Sequence, residues 1–151
     1  MPLKVGDAAP NFDVMDQNKN KVSLSSLKGK KVVLLFYPLD FTPVCTAEHC
    51  AFGPQLDKLK PDADTVVLGV STDSPFSHAA FKKQYNIPYD LLADVNRKMV
   101  KAYDLFAGEE PLNCGKRGTV VIGKDGKIKF WHEQPMKEER KIEDIAAAAR
   151  S

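Results

Sequence analysis

The chain has 151 residues, of which 43% are hydrophobic, and this size suits a single domain over residues 1–151. Its 22 Lys and Arg against 20 Asp and Glu give a net charge of +2, too small to indicate nucleic-acid binding. The longest apolar run is about six residues, whereas a membrane span needs roughly 20, and the amino end lacks the apolar stretch of a signal peptide. We therefore expect a cytoplasmic protein that binds neither nucleic acid nor membrane.

Hydrophobic periodicity and turn residues predict alternating strands and helices. In chain order the predicted elements are a hairpin of Phe12–Met15 and Lys21–Ser23, a strand Val32–Tyr37, a helix Cys45–Leu59, a strand Thr65–Val70, a helix Pro75–Tyr85 capped by Ser74, a strand Leu91–Ala93, a helix Asn96–Tyr103, a hairpin of Gly118–Ile122 and Lys127–Trp131, and a terminal helix that carries Ile142, Ile145, Ala146 and Ala149. Parallel crossovers followed by an antiparallel hairpin indicate an α/β fold with a mixed central sheet and flanking helices.

Cysteine usage points to reactive thiols. The chain has three cysteines, and in a reducing cytosol such a set favours reactive, metal-binding or buried free thiols over a disulfide framework. Cys45 follows a buried strand at the predicted start of a helix, where unpaired N–H groups and the helix dipole stabilise anions. Its position therefore favours the thiolate form, and helical spacing turns the side chain inward. Cys45 is the candidate nucleophile.

The distance from Cys45 to Cys50 makes the second cysteine informative. Five residues along an α-helix separate two Cα atoms by roughly 8.6 Å, whereas a disulfide tolerates at most about 7 Å. The two cysteines can therefore join only if the first helical turns unwind, which suits a transient catalytic pair. Gly53 and Pro54 weaken the helix further, so we predict an interruption near Cys50.

Two other residues fit the chemistry of a thiolate that attacks a peroxide. Such a reaction needs donors for the peroxide oxygens and a cation beside the sulfur. The hydroxyl of Thr42, three residues before Cys45, and the guanidinium of Arg117 meet these needs. Each has an ordinary alternative, a turn residue in one case and a surface charge in the other. His49, one turn beyond the thiol, is predicted to be a packed or helix-face histidine with no direct role.

The run FYPLDFTPVCTAEHC resembles the active-site loop of the peroxiredoxins, in which a proline, a threonine and the peroxidatic cysteine recur at this spacing. The segments VGDAAPNF, GVSTDSPFSHAAFKKQYNIPYDLLADVNRKMVKAYDL and RGTVVI are similar to the bacterioferritin comigratory protein or PrxQ-type branch. The resemblance covers nearly the whole chain. It implies a thioredoxin-like fold with an added amino-terminal hairpin, and an antioxidant thiol peroxidase with no cofactor and no metal.

The resemblance also assigns roles to four residues around the thiol: the peroxidatic Cys45, the activating Thr42 and Arg117, and Pro38, which shields the thiolate. Cys50 matches the resolving cysteine, and Glu48 matches an acidic residue that orients the arginine. The implied substrates are hydrogen peroxide and small organic hydroperoxides. The implied reductant is thioredoxin or another dithiol, and we expect a monomer, with a weak homodimer as the alternative.

Two other functions stay open at this point. A zinc-binding module would use Cys45, His49, Cys50 and Cys114, although structural zinc sites usually offer two close ligand pairs. A thiol-disulfide oxidoreductase or redox sensor would share the fold, although the usual Cys-X-X-Cys pair is absent. Cys114 is either an ordinary free thiol or an alternative resolving partner. His78 is predicted to be structural.

Overall fold

Seven strands form one mixed sheet in the computed structural model, which describes residues 3–52, 56–60, 63–108, 114–134 and 140–150. The strands are β1 (Asp13–Met15), β2 (Lys21–Ser23), β3 (Lys31–Phe36), β4 (Thr65–Ser71), β5 (Asp90–Ala93), β6 (Arg117–Ile122) and β7 (Ile128–Gln134). The helices are α1 (Pro43–Phe52), α2 (Leu56–Leu59), α3 (Pro75–Tyr85), α4 (Lys98–Ala102) and α5 (Ile142–Arg150), with one 3₁₀ turn at Ser25–Leu27. The strand order is β2-β1-β5-β4-β3-β6-β7, which confirms the predicted α/β class.

β3 lies inside the sheet, parallel to β4 and antiparallel to β6. Every residue of β3 is buried. Val32, Leu34 and Phe36 belong to the hydrophobic core on one face of the sheet, while Val33 and Leu35 belong to the core on the other. A strand that is covered on both faces needs a continuous apolar run, which explains why this segment lacks the alternation of a half-exposed strand.

The predicted amino-terminal hairpin is present and extends the sheet. β1 pairs with β2 in antiparallel fashion, and it joins the rest of the sheet through β5, where Met15 lies opposite Ala93. The carboxylate of Asp16 stabilises the turn between β1 and β2 by accepting the backbone N–H groups of Asn18 at 2.8 Å and Asn20 at 3.0 Å. Such a side-chain bond to the backbone is typical of aspartate in tight turns.

The first long helix differs from its prediction in where it begins. Within the predicted helix Cys45–Leu59, the structure describes α1 over Pro43–Phe52 and α2 over Leu56–Leu59. α1 begins two residues early because Pro43 has no N–H to leave unpaired and a φ angle already suited to the first helical position. The helix was predicted to be interrupted near Cys50, but α1 is helical through Cys50 to Phe52. Gly53 and Pro54, the expected cause of the interruption, lie outside the described residues.

The other helices follow their predictions closely. Ser74 caps α3 by accepting the Ser77 N–H at 3.1 Å, and Asn86 ends the helix in a left-handed conformation with φ 51°. α4 is shorter than the predicted Asn96–Tyr103 at both ends. In the part of the chain that the structure describes, no helix combines the length and apolar character that crossing a membrane requires.

Candidate active site

Cys45 lies at the third residue of α1, and its side chain is completely buried. A short loop carries the chain from the end of β3 to Pro43, the first residue of the helix. The carbonyl of Thr42 accepts a helical hydrogen bond from the Thr46 N–H at 2.9 Å. The sulfur therefore lies in the first helical turn, where N–H groups have no partner within the helix and the dipole stabilises negative charge.

Arg117, the first residue of β6, holds its guanidinium against this sulfur. Nη2 of Arg117 donates to Cys45 Sγ at 3.1 Å, and Nη1 donates to Glu48 Oε1 at 2.6 Å. The pairing of β6 with β3 sets this position, because Gly118 lies opposite Phe36 at the end of β3 that leads to the loop. A permanent positive charge with a donor directed at sulfur stabilises a thiolate. The structure thus brings two residues predicted from distant parts of the sequence into contact.

Glu48 fixes the orientation of that arginine. It lies one turn after Cys45 on α1, a spacing that puts both side chains on one helix face. Besides the bond from Arg117, Glu48 Oε2 accepts the backbone N–H of Arg140 at 2.7 Å, and Oε1 lies 3.2 Å from Arg140 Nε. The carboxylate is 1% exposed. With both oxygens engaged, it holds the guanidinium in one orientation.

Arg140 is a component of the site that the sequence analysis missed. It lies among lysines and glutamates just before α5, a stretch that reads as a solvated helix face, yet its side chain is buried. Nη1 donates to Gly118 O at 3.0 Å, and Nη2 donates to Phe36 O. Burial lowers the pKa of the Arg140 guanidinium, and the charge of Glu48 acts in the opposite direction. Arg140 thereby joins Phe36 of β3, Gly118 of β6 and Glu48 of α1.

The charges of these three side chains favour an anion at Cys45. Arg117 and Arg140 are positive and Glu48 is negative, and all three are almost entirely buried. Buried charges are stable only when they are paired. A thiolate at Cys45 gives this group of four side chains two positive and two negative members.

Pro38 and Thr42 lie in the loop between β3 and α1. Pro38 is buried, and Phe41 turns the chain with a left-handed φ of 66°. Thr42 Oγ1 donates to Leu39 O at 2.8 Å, a bond within the loop. The lone pairs of a hydroxyl oxygen can still accept a hydrogen bond while its proton is donated elsewhere. Thr42 immediately precedes α1, and Pro38 lies at the other end of the same short loop.

A buried polar network anchors the same loop. The Asp40 carboxylate accepts from Tyr37 Oη at 2.5 Å and from Ser77 Oγ at 2.9 Å. His78 lies with Nδ1 2.7 Å from Asp40 Oδ2 and Nε2 2.9 Å from Leu92 O. Both ring nitrogens of His78 therefore lie within hydrogen-bond distance of an oxygen atom. Burial, followed by the charge of Asp40, raises the pKa of Tyr37 well above its usual value.

The other two cysteines have contrasting surroundings. Cys50 is an exposed free thiol on α1. Because α1 is helical from Pro43 to Phe52, ideal helix geometry separates the Cα atoms of Cys45 and Cys50 by roughly 8.6 Å, beyond disulfide reach. Cys114 is a buried free thiol, and burial, followed by the charge of Asp73, raises its pKa. A buried thiol of this kind is a poor nucleophile.

The four ligands of the zinc alternative do not converge. Among the described residues, one group of three side chains comes close enough to share a metal ion, and it consists of Asp40, Asp73 and His78. That group is held together by its own hydrogen bonds, since Asp73 Oδ2 accepts the Asp40 N–H at 2.8 Å and Ser71 Oγ at 2.6 Å. The thiol of Cys45 contacts a guanidinium, which is a cation already in place.

This geometry defines the class of protein: a thioredoxin-like fold in which the buried thiol of Cys45 lies at the start of a helix and contacts a guanidinium. The family model described as AhpC/TSA matches residues 5–131, and the chain belongs to this family. It is 41% identical over 141 residues to the chloroplastic peroxiredoxin Q of Oryza sativa subsp. japonica, and the matched region covers 91% of this chain and 62% of the relative. It is 37% identical over 145 residues to peroxiredoxin Bcp of Bacillus subtilis, with 91% of this chain and 90% of the relative covered.

Solved structures agree with this assignment. Peroxidoxin BcpB of Mycobacterium tuberculosis superposes with a TM-score of 0.85 at 28% identity, over 98% of this chain and 97% of the other. The reduced 2-Cys peroxiredoxin of Plasmodium vivax gives a TM-score of 0.88 at 29% identity, over 99% of this chain and 81% of the other. The predicted thioredoxin-like fold and the resemblance to the bacterioferritin comigratory protein and PrxQ branch are confirmed. The chain spans 62% of the length of the rice relative, so part of that relative has no counterpart here.

Proposed function

We propose that this chain is a thiol-dependent peroxidase with Cys45 as its nucleophile, working within a single domain over residues 1–151. The observation that carries the proposal is the fork of one guanidinium, which donates to Cys45 Sγ at 3.1 Å and to Glu48 at 2.6 Å. A peroxidase needs an anionic sulfur and fixed hydrogen-bond donors where negative charge develops. The guanidinium of Arg117 stabilises the first and provides the second. Membership of the AhpC/TSA family supports the same function.

In the first half-reaction the Cys45 thiolate attacks the terminal oxygen of a hydroperoxide. A sulfur–oxygen bond forms while the oxygen–oxygen bond breaks, so sulfur becomes a sulfenic acid and the leaving oxygen takes a proton to become water or an alcohol. Arg117 stabilises the negative charge as it moves from sulfur to the leaving oxygen. Thr42 accepts a hydrogen bond from the peroxide while it donates to Leu39 O. The buried Pro38 restricts the access of water to the thiolate.

In the second half-reaction Cys50 attacks the sulfenic sulfur of Cys45, so a disulfide forms and water leaves. Both cysteines lie on α1, and their Cα separation of roughly 8.6 Å in a regular helix is beyond disulfide reach. α1 therefore unwinds locally before the disulfide closes. The thiol of Cys50 is already exposed on the folded helix, so the unwinding serves to bring it to the buried Cys45.

A dithiol, most simply thioredoxin, then exchanges with the disulfide and restores both thiols. The proposed substrates are hydrogen peroxide and small organic hydroperoxides. We propose that a monomer completes the cycle, because one chain carries both reacting cysteines. A reducing compartment such as the cytoplasm would keep the three cysteines as thiols, whereas the rice relative is named as a chloroplastic protein.

Turnover linked to NADPH through thioredoxin and its reductase tests this function. We expect many equivalents of peroxide to be consumed per chain, and consumption that stops near one equivalent would indicate a redox sensor. Cys50→Ser should still reduce one equivalent, lose thioredoxin-linked turnover and accumulate Cys45 sulfinic acid, detected by mass spectrometry. Cys114→Ala is the matched control and should keep turnover. Sustained turnover by Cys50→Ser would move the resolving role to Cys114 or to an external thiol.

A further inference from the structure

His49 lies on α1 between the two reacting cysteines and is 1% exposed. Its Nδ1 is hydrogen-bonded to the hydroxyl of Tyr89. Its ring packs edge-on against Tyr37, with centroids 4.4 Å apart, and against Phe81 at 5.6 Å. The mechanism above gives this histidine no task, although it occupies a fully enclosed position one residue from Cys50.

The other ring nitrogen of His49 is unpaired. Nε2 is buried and has no hydrogen-bond partner in the part of the chain that the structure describes. A neutral imidazole carries one proton, so its two nitrogens are one donor and one acceptor. Whichever nitrogen carries the proton, Nδ1 can pair with the hydroxyl of Tyr89, and Nε2 remains without a partner. Exposure to water would satisfy Nε2, so the folded helix keeps this ring in an unfavourable state.

The charged groups around His49 oppose its protonation. Burial acts first, and the positive charges of Arg140 before α5, Arg117 on β6 and His78 on α3 add to it, so the pKa of His49 is well below its usual value. Tyr89 stays neutral because burial raises its pKa. On α1 itself, Glu48 directs its carboxylate to the two arginines. The ring is therefore neutral while α1 is intact.

We propose that His49 is a positioning residue for the resolving step, because its burial between Cys45 and Cys50 couples the unwinding of α1 to the uptake of one proton. This inference rests on the proposed function, in which Cys50 resolves Cys45. His49 is joined to Cys50 by a peptide bond, so it cannot stay in its enclosed position when the segment between the cysteines unwinds. Once outside, the imidazole meets water and titrates as an ordinary histidine.

The sign and size of the effect follow from proton linkage. The folded helix binds no proton at His49, whereas the unwound helix binds one below the ordinary histidine pKa of about 6.5. The folded helix therefore keeps its full stability above that pH and loses stability as the pH falls below it. Proton uptake multiplies the equilibrium constant for unwinding of α1 by about 1 + 10^(6.5 − pH). This factor is about 1.1 at pH 7.5 and about 11 at pH 5.5.

The test compares wild type with His49→Asn, whose amide can keep the bond to Tyr89 but cannot titrate. Stopped-flow after one equivalent of hydrogen peroxide measures the rate constant of disulfide closure at pH 5.5 to 7.5. Acid also slows thiol–disulfide chemistry in general, because the thiolate is the attacking species. This effect is common to both proteins, so the ratio of the two rate constants removes it. His132→Asn on β7 is the matched control, because His132 is exposed.

We expect the wild-type rate constant of disulfide closure, divided by that of His49→Asn, to rise about tenfold from pH 7.5 to pH 5.5. The wild-type rate constant divided by that of His132→Asn should stay constant. A flat His49 ratio in a protein that does form the Cys45–Cys50 disulfide overturns the inference and leaves the peroxidase proposal intact. If that disulfide never forms, the resolving role of Cys50 fails and this inference fails with it.

Hydrogen exchange on reduced wild type gives an independent measurement that needs no variant. After correction for the intrinsic exchange rate, the protection of α1 amides should fall about tenfold relative to β3 over the same pH range. Protection of α1 that stays in step with β3 would contradict the coupling.

Discussion

Replacing Arg117 separates the effect of its charge from the effect of its forked geometry. Arg117→Met removes both the donor to Cys45 Sγ at 3.1 Å and the donor to Glu48 at 2.6 Å. Loss of a preorganised donor to a developing anion costs about 2.7–4 kcal/mol, or roughly 10²- to 10³-fold in rate. Arg117→Lys keeps the charge, but a lysine ammonium cannot make the same planar two-point contact. Losing one charge-assisted bond costs about 1.5–3 kcal/mol, so we expect a decrease of roughly 10- to 100-fold.

The assay is the second-order rate constant of the first half-reaction, measured by stopped-flow with reduced enzyme and limiting hydrogen peroxide at pH 7. Arg150→Met is the control, because Arg150 is exposed at the end of α5. Circular dichroism must first establish that each variant is folded, since removing one member of a buried ion pair is destabilising. We expect wild type and Arg150→Met to react alike, with the lysine and methionine variants progressively slower.

Two results would refute this reasoning. A folded Arg117→Met variant that reacts within about threefold of wild type would mean that the guanidinium does not stabilise the reacting charge. A lysine variant as fast as wild type would mean that positive charge is sufficient and that the fork to Glu48 is irrelevant to rate.

Two further predictions concern the buried charges beneath and beside the thiol. Arg140→Met leaves Glu48 with one guanidinium and removes the donors to Phe36 O and Gly118 O, so the free energy of unfolding in urea should fall by about 3–5 kcal/mol. Asp40→Asn replaces a buried carboxylate that accepts from Tyr37 Oη at 2.5 Å and Ser77 Oγ at 2.9 Å, and losing a charge-assisted hydrogen bond should cost about 1.5–3 kcal/mol. The exposed Asp144→Asn on α5 is the control for both, and a loss below about 1 kcal/mol in either variant would contradict the assigned contacts.

The sequence predicts the part of the site that is local in the chain. The strand Val32–Tyr37 is recognisable because a strand covered on both faces needs uninterrupted apolar residues. The prolines of the following loop and the onset of helical spacing place Cys45 at a helix start, and five residues of helix fix its separation from Cys50. The sequence also predicts Arg117 as the cation beside the thiolate, because a permanent positive charge fits that chemistry. Its contact with the sulfur depends on the pairing of β6 with β3.

The contacts of Arg140, which was not predicted, and of His49 and His78, which were predicted only as packed or structural residues, depend on tertiary structure. Nothing in the sequence before α5 distinguishes Arg140 from the other charged residues there, and its burial accompanies bonds to Phe36 O on β3 and Gly118 O on β6. His49 has helical spacing that fits either a surface or a core position, so its unpaired nitrogen is visible only in the folded structure. Similarly, the pairing of His78 with Asp40 joins two segments 38 residues apart.

α1 must satisfy two opposing requirements in the proposed cycle, and its own residues supply both. Glu48 ties the helix to Arg117 and Arg140, and this anchoring is strongest while the Cys45 thiolate balances the second positive charge. Attack on peroxide turns the anionic sulfur into a neutral sulfenic acid, which leaves two guanidinium groups facing one carboxylate in a buried site. An uncompensated buried charge is costly, so oxidation itself weakens the folded helix. The buried, unpaired nitrogen of His49 also favours the unwound helix. Oxidation of Cys45 therefore promotes the unwinding that lets Cys50 reach it.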